Sequence, residues 1–520
     1  MSYANGYFRR FLLPISAFVA GFSLMTVELT ASRILAAHFG SSVYMWTIVI
    51  GIVLLGYSAG SAVGGVFADR FRSQSTAFLA LIGASIFVGA ARVLVRLLPA
   101  LAVSALPLTI IIGIASVLLF CVPAFFLGAV YPILVRLAAE SFERVGVRAG
   151  QLSALSALGS IAGTFLTGFV FIGYLGSSST LLVVAAALLA NAAVFIRPRT
   201  TDVIVVAIVA VLLASAWFLP RRAEGLVYQD ESSYYTVRVV DADDSVWGDA
   251  RMLFLDFDSH NVESRSGKTL RTFTSIHPLL MLLKRDMHDV FVIGGGSYAM
   301  PKNLIHLIPD ANITVAEIDP QVTAVAKEYF NVSNYPSIRT VTGDGRVALA
   351  RERCCFDLIL EDAFNSFIST PWHMLTQEFL QTARAKLGPR GIYVANIVAV
   401  PLLDRDGFLS SVLGTFSSVF PNYYVLAFGQ ELFAPQNVVL VGINGDLPIS
   451  ALGLQGWART LSNGEWLASA VRVPTPMAPD DALVLTDDFA PVERLLSSTI
   501  NDFYAPYARF FYSVMGGRGI

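Results

Sequence analysis

The stretch FVIGGGSYAMPKNLIHLIPDANITVAEIDP, residues 291–320, decides the fold of the second half of the chain. It begins with an apolar run that ends at Ile293, which is typical of a buried parallel strand. Gly294 and Gly296 then frame a turn in which the backbone can bend sharply and approach a ligand closely. A second apolar run ends on Glu317, at the spacing where an acid commonly accepts hydrogen bonds from ribose hydroxyls. The stretch therefore predicts two strands of a nucleotide-binding sheet.

Two further acids follow apolar runs in the same way. Asp344 comes in VTGDGR after a third run, and Asp362 comes in FDLILEDAFNS after a fourth. From about residue 288 to residue 445, short apolar runs alternate with helical stretches. This alternation predicts a doubly wound, Rossmann-like α/β domain with a parallel sheet. Ligands bind such sheets at the carboxyl ends of the strands, where these acids lie.

We expect the strand-end acids to surround an adenosine moiety. Glu317 would accept hydrogen bonds from both ribose hydroxyls. Asp344 would accept one from the adenine amino group, with Gly345 leaving room for the ring, and Asp362 would face the reacting centre. The alternative is a nucleotide-free domain whose strand-end acids are merely solvated. An ordered set of a glycine turn and three acids is more specific than a glycine turn alone.

Composition separates the chain into two parts that suit different solvents. The 520 residues are 55% hydrophobic and only 14% charged, which is far too apolar for an ordinary soluble protein. Residues 1–220 carry 12 Arg, no Lys and 5 acidic residues, whereas residues 221–520 carry 24 basic and 33 acidic residues. We infer a membrane half and an acidic soluble half. Neither half is basic in the way that nucleic-acid binding requires, so no nucleic-acid partner is expected.

Seven apolar stretches in the first half are long enough to cross a bilayer. Arginines in the intervening loops alternate, so the positive-inside rule places the N-terminus in the cytoplasm. We therefore expect a multi-pass protein of the cell membrane, of the bacterial inner-membrane kind. Seven crossings would put the soluble half outside, whereas nucleoside cofactors are made in the cytosol, and the sequence leaves the side open. The stretches lie near residues 11–36, 43–68, 76–98, 106–136, 150–172, 177–196 and 202–219.

Three domains are expected. Residues 1–220 form a transmembrane helical domain of about seven spans, residues 221–285 a small β subdomain, and residues 286–520 the catalytic domain. The small subdomain is predicted because YYTVRVVDA and RMLFLDFD alternate as the strands of a β-hairpin do. The aromatic tail NDFYAPYARFFYSVM is typical of a packed terminal helix, or of a segment that lies against the membrane domain. The cysteines show no metal-ligand spacing, so no metal is expected.

The ordered motifs resemble those of the spermidine synthase family, the polyamine aminopropyltransferases, within the wider class I methyltransferase-like fold. The resemblance covers roughly residues 225–445, with its best motifs in 290–380. With the segments GFSLMTVELTASRILAAHFG and LTDDFAPVE, the whole chain is similar to membrane-fused spermidine synthase-like proteins. The resemblance implies decarboxylated S-adenosylmethionine as co-substrate, an amine or polyamine as acceptor, and methylthioadenosine as the nucleoside product.

The resemblance also implies roles for single residues. Glu317 takes the ribose role, and Asp344 with Gly345 takes the adenine role. Asp362 is the catalytic proton acceptor. The acceptor amine must lose a proton first, because an ammonium has no lone pair with which to attack the carbon beside the sulfonium of the co-substrate. The remaining residues expected to bind the cofactor are Gly294, Gly296, Ser297 and Tyr235.

Several positions depart from the family's pattern. Ser297 stands where the family usually carries an Asp that holds the aminopropyl ammonium, and Asn365 stands where a second acid binds the acceptor amine. Tyr235 and Thr272 occupy positions where Gln or His is frequent. Losing two anions weakens the binding of a dication in a partly desolvated site. We expect Asn365 to contact the substrate, and Asp487 to do so if the tail folds over the site; otherwise Asp487 belongs to a turn or helix cap.

Three functions therefore compete. The leading one is a membrane-bound aminopropyltransferase. The second uses S-adenosylmethionine to transfer a methyl or aminocarboxypropyl group to an amine or a lipid. The third is a transporter with a nucleoside- or polyamine-sensing domain, since Glu28 and Arg33 lie in the first span, where charges are costly and often functional. The expected partners are a small amine and the lipid bilayer, and association into a homo-oligomer is left open.

Overall fold

The computed structural model divides the chain into two compact units, which we describe separately. The first unit comprises Met1–Ala223, Asp230–Tyr235 and Gly517–Ile520, and the second comprises Glu224–Gln229 and Thr236–Gly516. The residues that the structure describes are 11–71, 73–104, 106–139, 145–196, 200–218, 225–244, 248–265, 273–363, 370–401, 404, 407–429, 433–461, 463–473, 475 and 477–514.

Apolar helices build the first unit. They are α1 (Leu13–Phe39), α2 (Val43–Phe71), α3 (Gln74–Ala102), α4 (Leu108–Ala138), α5 (Val145–Leu175), α6 (Ser177–Ala193) and α7 (Thr200–Trp217). Within the described ranges, all of these except α6 are long and apolar enough to cross a membrane, judged by length and composition. Helix α6 is shorter, with 17 residues. The helices coincide in position with the apolar stretches of the sequence and indicate a membrane location for this unit.

Glycines let helices of the first unit approach with their backbones in close contact. A Cβ on Gly60 of α2 would lie 1.8 Å from the carbonyl oxygen of Phe125 in α4. A Cβ on Gly128 of α4 would lie 2.1 Å from the carbonyl oxygen of Tyr57 in α2. Small residues serve this purpose at helix interfaces in membranes, where apolar lipid provides no hydrophobic drive for association. A larger residue at either position would push the two helices apart.

Arg33, at the C-terminal half of α1, binds a turn of the first unit. Its guanidinium donates hydrogen bonds to the carbonyl oxygens of Ser232 at 2.8 Å and Tyr234 at 2.6 Å. Glu231, directly before this turn, accepts hydrogen bonds from the backbone N–H and the hydroxyl of Ser177, at 2.9 and 2.5 Å. Arg33 and Glu231 thus hold this turn to α1 and to the start of α6.

The second unit begins with a four-stranded sheet, which extends the hairpin expected from the sequence. Strands β2, β3 and β4 pair antiparallel, and β1 lies beside β2. The last four residues of β3, Met252–Leu255, are hydrophobic and buried, whereas most residues of β1 and β4 are half-buried or exposed. The strands are β1 (Leu226–Glu231), β2 (Thr236–Asp244), β3 (Gly248–Leu255) and β4 (Asp258–Ser264).

A seven-stranded sheet forms the centre of the second unit and confirms the predicted α/β domain. Its strands are β5 (Asp289–Ile293), β6 (Asn312–Glu317), β7 (Ile338–Thr342), β8 (Phe356–Glu361), β9 (Leu387–Ala399), β10 (Tyr423–Ala427) and β11 (Gln436–Ile443). They lie in the order β10-β11-β9-β8-β5-β6-β7. Strands β5 to β9 are parallel, but β11 runs antiparallel to both neighbours, so the sheet is mixed and not wholly parallel. Since β6 and β8 flank β5, the winding reverses there, which is where such sheets bind ligands.

Helices connect the strands of this sheet and follow its last strand. They are α8 (His277–Leu283), α9 (Ala299–Leu307), α10 (Pro320–Tyr329), α11 (Gly345–Arg351), α12 (Gln377–Lys386), α13 (Phe408–Val419), α14 (Ala451–Ala458), α15 (Gly464–Ala470), α16 (Val492–Leu495) and α17 (Ser497–Val514). The central strands are buried on both faces, which explains their nearly continuous apolar runs.

The aromatic tail forms helix α17 and packs on the small sheet of the second unit. Phe511 meets the ring of Phe254 edge-on with centroids 5.3 Å apart. Tyr504 lies 5.9 Å from the ring of Phe257. Aromatic pairs at such distances stabilise packing beyond the area they bury. The tail is therefore a packed helix of the second unit.

Candidate active site

The glycine turn lies between β5 and α9. Gly294 and Gly296 adopt φ values of +88° and +51°, in the left-handed region that residues with a Cβ rarely adopt. A Cβ on Gly294 would also lie 2.3 Å from the carbonyl oxygen of Asp362. The lack of a side chain at 294 therefore lets the end of β8 reach the turn. Gly345 is packed as tightly, since a Cβ there would lie 2.2 Å from the side chain of Ile293.

Glu317 ends β6, is 6% exposed and lies against this turn. Its Oε2 accepts hydrogen bonds from the N–H groups of Gly295 (2.7 Å) and Gly296 (3.4 Å), and its Oε1 accepts one from Asp319 (2.9 Å). Burial raises the pKa of Glu317, while these N–H groups oppose the rise by favouring the ionised form. Because Oε1 keeps a second lone pair, Glu317 can hold the turn and still accept from a ribose hydroxyl.

Asp344 follows β7 and caps the start of α11. Its Oδ1 accepts a hydrogen bond from the N–H of Val347 at 2.9 Å, and its Oδ2 lies 3.1 Å from Nε2 of His373. Both side chains are about one-third exposed, so a ligand can reach them. His373 was not among the predicted site residues, because it lies in a short helix, Trp372–Met374, outside any motif. Only tertiary structure brings it to Asp344.

Asp487 forms an ion pair with Arg346 near the start of α11. The guanidinium donates to both carboxylate oxygens, at 2.7 and 2.6 Å, and the hydroxyl of Thr376 donates to Oδ1 at 2.7 Å. The hydrogen bond from Arg346 holds the pKa of Asp487 below its usual value. The Asp487 carboxylate therefore binds Arg346 and Thr376, and Asp487 is not among the residues that line the cavity described below. Substrate binding by Asp487 stays a prediction.

Asp362 lies one residue beyond β8. Its Oδ1 accepts a hydrogen bond of 2.8 Å from the side-chain amide of Asn396, whose oxygen accepts one of 3.1 Å from Asn437. Burial raises the pKa of the Asp362 carboxyl, and the Asn396 hydrogen bond and the nearby His260 counteract this rise. An oriented carboxylate with a raised pKa is suited to accept a proton from an amine.

A cavity of about 530 Å³ opens beside Asp362. Its size is within the range of about 300–1,000 Å³ that is typical of small-molecule sites. Among the described residues that line it, Asp258 and Asp362 are the carboxylates, and Phe503 and Phe510 of α17 contribute to an apolar wall. The uncharged polar side chains at the wall include Asn261, Asn396, Gln436 and Asn437.

Ser297 lies at the end of the glycine turn and binds an acid of the small sheet. Its hydroxyl donates a hydrogen bond of 2.6 Å to Glu263 of β4. The same carboxylate pairs with the Lys302 ammonium at 2.8 Å, and Lys302 also donates to the carbonyl oxygen of Phe330 at 2.8 Å. Ser297, which stands where the family usually carries an acid, thus contacts the carboxylate of Glu263. The ammonium of Lys302 balances the charge of that carboxylate.

A second buried acid, Glu361, directly precedes Asp362. It is 3% exposed and accepts a hydrogen bond from the Tyr393 hydroxyl. Burial raises the pKa of Glu361 to about 8, against the opposing Tyr393 hydrogen bond and with a contribution from the Asp362 charge. The sequence reading assigned no role to Glu361, because an acid inside an apolar run does not reveal which face of the strand it takes.

The remaining residues singled out in the sequence are Tyr235, Asn365 and Thr272. Tyr235 belongs to the turn of the first unit, where its ring lies 6.3 Å from that of Tyr234. Asn365 and Thr272 fall outside the residues that the structure describes. The roles of Tyr235 and Asn365 stay predictions. Across the described ranges, no group of three or more His, Cys, Asp or Glu side chains is placed to hold a metal ion.

In comparisons with known proteins, residues 274–429 match the family model of the spermine/spermidine synthase domain. A polyamine aminopropyltransferase of Vibrio vulnificus (strain CMCP6) is 30% identical over 217 residues, which cover 40% of this chain and 69% of that protein. A probable polyamine aminopropyl transferase of Bifidobacterium longum (strain NCC 2705) is 32% identical, covering 46% of this chain and 55% of that protein. An eEF1A lysine and N-terminal methyltransferase homolog of Drosophila melanogaster is 28% identical, and the match covers 44% of this chain and 33% of that protein.

Proposed function

This chain belongs to the polyamine aminopropyltransferase family and is a spermidine synthase-like transferase, and from that premise we propose which reaction it performs. The protein transfers an aminopropyl group from decarboxylated S-adenosylmethionine to an amine and releases methylthioadenosine. The observation that carries this proposal is the position of Asp362. Its backbone lies beside the glycine turn, its carboxylate is oriented by Asn396, and the residue lines a cavity large enough for an amine.

The reaction needs a proton acceptor and close positioning. Asp362 takes one proton from the acceptor ammonium, which frees a lone pair on the nitrogen. The nitrogen then attacks the propyl carbon beside the sulfonium, so that one C–N bond forms while one C–S bond breaks. The bonding pair goes to sulfur, which becomes a neutral thioether. Because the positive charge on sulfur disappears, the site has no new anion to stabilise, and positioning supplies much of the rate.

The nucleoside half of the co-substrate would occupy the carboxyl ends of β5, β6 and β7. Glu317 lies where it can accept from ribose hydroxyls while it holds the glycine turn. Asp344 is the acid for the adenine amino group, and that group would share or replace its contact with His373. Gly294 and Gly296 allow the backbone to approach the ligand closely.

Product analysis with the full-length protein tests the reaction. The protein in detergent is incubated with decarboxylated S-adenosylmethionine and simple amines, and the nucleoside product is identified by mass. We expect methylthioadenosine from the wild type. Asp362→Asn should lower the turnover by about 10²-fold or more and leave methylthioadenosine binding intact, since one general base commonly contributes that much. Glu317→Ala and Asp344→Ala should instead lose nucleoside binding. Absence of any adenosyl-ligand binding by the wild type would remove the proposal.

A second candidate function keeps the site and changes the group that is moved. Ser297 stands in place of an acid, and its neighbour Glu263 is balanced by Lys302, so the described residues offer an aminopropyl ammonium no unbalanced carboxylate there. A similar chain is also a methyltransferase homolog. This favours transfer from intact S-adenosylmethionine as the alternative. A product of S-adenosylhomocysteine would indicate methyl transfer.

The site of action is the membrane. The apolar helices of the first unit support a membrane anchor, and we propose that the membrane is the cell membrane, of the bacterial inner-membrane kind. Protease accessibility in sealed vesicles of known orientation tests which side carries the second unit. Release of the protein by carbonate, without detergent, would contradict an integral membrane location.

A further inference from the structure

Helices α1 and α5 of the first unit cross through a short pattern of glycines and one serine. A Cβ on Gly159 of α5 would lie 2.0 Å from the carbonyl oxygen of Phe18 in α1. The next residue, Ser160, donates a hydrogen bond of 3.2 Å to the carbonyl oxygen of Gly21. A Cβ on Gly21 would in turn lie 2.1 Å from the carbonyl oxygen of Ser156. The two backbones are therefore in close contact at this crossing.

Helices α4 and α2 repeat this crossing residue by residue. A Cβ on Gly60 of α2 would lie 1.8 Å from the carbonyl oxygen of Phe125 in α4. Ser61 donates a hydrogen bond of 3.1 Å to the carbonyl oxygen of Gly128, and a Cβ on Gly128 would lie 2.1 Å from the carbonyl oxygen of Tyr57. The sequence repeats with the contacts, since Phe-x-x-Gly occurs in α1 and α4, and Gly-Ser-x-x-Gly occurs in α2 and α5. Helix α4 is thus the counterpart of α1, and α2 is that of α5.

The two copies run in opposite directions through the membrane. The contacts of α5 with α1 advance in the same order along both helices, and so do those of α2 with α4, so each pair is parallel. Because only residues 40–42 join α1 to α2, these consecutive spans cross in opposite directions, and α4 therefore runs opposite to α1. The contacts that show this order are Phe18 with Gly159, then Phe22 with Gly163, and Phe125 with Gly60, then Ala129 with Gly64.

Helices α1–α3 and α4–α6 therefore form two inverted repeats, and α7 follows them. The third helices of the two repeats also meet, where the Ser85 hydroxyl of α3 donates a hydrogen bond of 2.7 Å to the carbonyl oxygen of Ala185 in α6. Inverted repeats related by an axis in the membrane plane recur in secondary transporters, whose ligands bind near the middle of the bilayer. The arrangement of the first unit thus favours transport over a purely anchoring role.

Glu28 is a charged group that only one of the repeats carries at its position. It lies near the middle of α1, seven residues after Gly21, whereas the residue seven positions after Gly128 in α4 is Val135. Because α4 makes the same crossing with an apolar residue there, helix packing does not require the carboxylate. Across the described part of the chain, the half-buried Glu28 side chain has no hydrogen-bond or ion-pair partner. Charges at this depth are costly and commonly belong to a substrate or ion path.

The surroundings of Glu28 favour an organic ammonium as its ligand. The residues three and four positions away, which share its face of α1, are Leu24, Met25, Ala31 and Ser32. Most of this face suits hydrocarbon, while the one carboxylate matches one ammonium group. A calcium or magnesium ion needs several oxygen ligands, and within the described ranges no three His, Cys, Asp or Glu side chains are grouped to hold a metal ion. An ammonium with a hydrocarbon part therefore fits better than a divalent metal ion.

We propose that the first unit carries organic ammonium ions across the membrane and that the Glu28 carboxylate binds them on the way. Movement of one inverted repeat against the other exposes Glu28 alternately to the two sides of the bilayer. The transport role stands on the repeat and on Glu28 alone. The choice of an amine among singly charged cations also rests on the proposed function, in which an amine is the acceptor.

Uptake into sealed liposomes tests this role. The full-length protein is reconstituted, and radiolabelled 1,4-diaminobutane is added outside, because this amine crosses lipid slowly when both nitrogens are charged. We expect uptake that saturates with concentration and exceeds that of protein-free liposomes. Glu28→Gln should lower the rate to about a tenth or less, since the ammonium loses its anion. Glu28→Asp keeps the charge and should retain uptake, and Val135→Ala, at the equivalent position of the other repeat, should leave uptake unchanged.

The unfolding temperature in detergent separates binding from a structural role. Removing an unpaired, half-buried charge should not lower it, so Glu28→Gln should be at least as stable as the wild type. Loss of uptake together with a lower unfolding temperature would overturn the role of Glu28 in binding.

Three further results would count against the proposal. A wild type that takes up no amine, or takes it up as fast as Glu28→Gln does, would overturn transport through Glu28. Proton flux that depends on Glu28 without amine uptake would overturn the choice of an amine. Failure of the proposed function looks different: the wild type would form no methylthioadenosine with any amine in detergent, whereas uptake by liposomes would persist.

Discussion

Gly294 and Asp362 approach each other so closely that a Cβ on residue 294 would lie 2.3 Å from the carbonyl oxygen of Asp362. The glycine turn and the proposed proton acceptor are therefore in close contact through their backbones. The N–H of Asp362 also donates a hydrogen bond of 2.8 Å to the carbonyl oxygen of Ile293, directly before the turn.

Gly294→Ala should disrupt both stability and nucleoside binding. The new methyl would meet the backbone of Asp362, and its φ of +88° is strained for any residue with a Cβ. We expect a cost of about 1–3 kcal/mol and a large loss of methylthioadenosine affinity, measured by thermal unfolding and titration. Gly296→Ala is the matched control: its φ is +51°, but nothing lies within 4 Å of the new Cβ. Equal losses in the two variants would argue against the close contact as the cause.

The pH dependence of transfer should report the Asp362 carboxyl. The rate should rise with pH as this group loses its proton, at a pH above that of an ordinary aspartate because burial raises its pKa. The hydrogen bond from Asn396 favours the ionised form. Asn396→Ala should therefore raise the pKa of Asp362 and move the acidic limb of the kcat/KM profile to higher pH. A limb that stays in place, or moves to lower pH, would count against Asp362 as the base.

Glu361→Gln should change how stability depends on pH. The pKa of Glu361 is raised to about 8 in the folded protein, whereas in the unfolded chain it is about 4.3. Between these values the folded state binds more protons, so wild-type stability should fall as the pH rises from about 5 to 8. Glutamine keeps an acceptor for Tyr393 and cannot ionise. The variant should lose less of its unfolding temperature between pH 6 and pH 8, and a parallel fall in both proteins would contradict the shifted pKa.

Ser297→Asp should alter the choice of co-substrate. An added carboxylate would attract the aminopropyl ammonium and repel the carboxylate of intact S-adenosylmethionine. We expect the ratio of affinities to move toward decarboxylated S-adenosylmethionine, measured by competition against methylthioadenosine. The Ser297 hydroxyl lies 2.6 Å from the Glu263 carboxylate, so an acid at position 297 would be repelled by Glu263. A lower unfolding temperature is therefore expected. Ser297→Asn, which adds similar bulk without charge, should leave the affinity ratio unchanged.

Local patterns were sufficient to predict the strands and the glycine turn at which the nucleoside site is proposed. Strands β5, β6 and β8 are buried on both faces, so their apolar runs can be recognised in the sequence alone, as can the glycine turn. The direction of β11 is not visible in this way, because QNVVLVGI reads the same for a parallel or an antiparallel strand.

The hydrogen-bond partners of the acidic side chains could be identified only from the tertiary structure. Asp487 was predicted to contact the substrate if the tail folds over the site, and this stays a prediction. The structure adds that Arg346 donates to both of its carboxylate oxygens, which the sequence did not indicate. The contact of His373 with Asp344 and that of Tyr507 with Asp258 likewise join segments far apart in sequence. A motif search finds acids at strand ends, yet it cannot tell which distant donor meets each of them.

The placement of α17 at the cavity wall bears on the order in which the protein matures. Phe503 and Phe510 line a cavity to which residues of β4 also contribute, and the whole large sheet lies between β4 and α17 in the chain. A growing polypeptide thus completes the glycine turn and the strand-end acids well before it completes the acceptor cavity. Under the proposed function, a nascent chain therefore carries the residues for the nucleoside before it carries all of those for the amine.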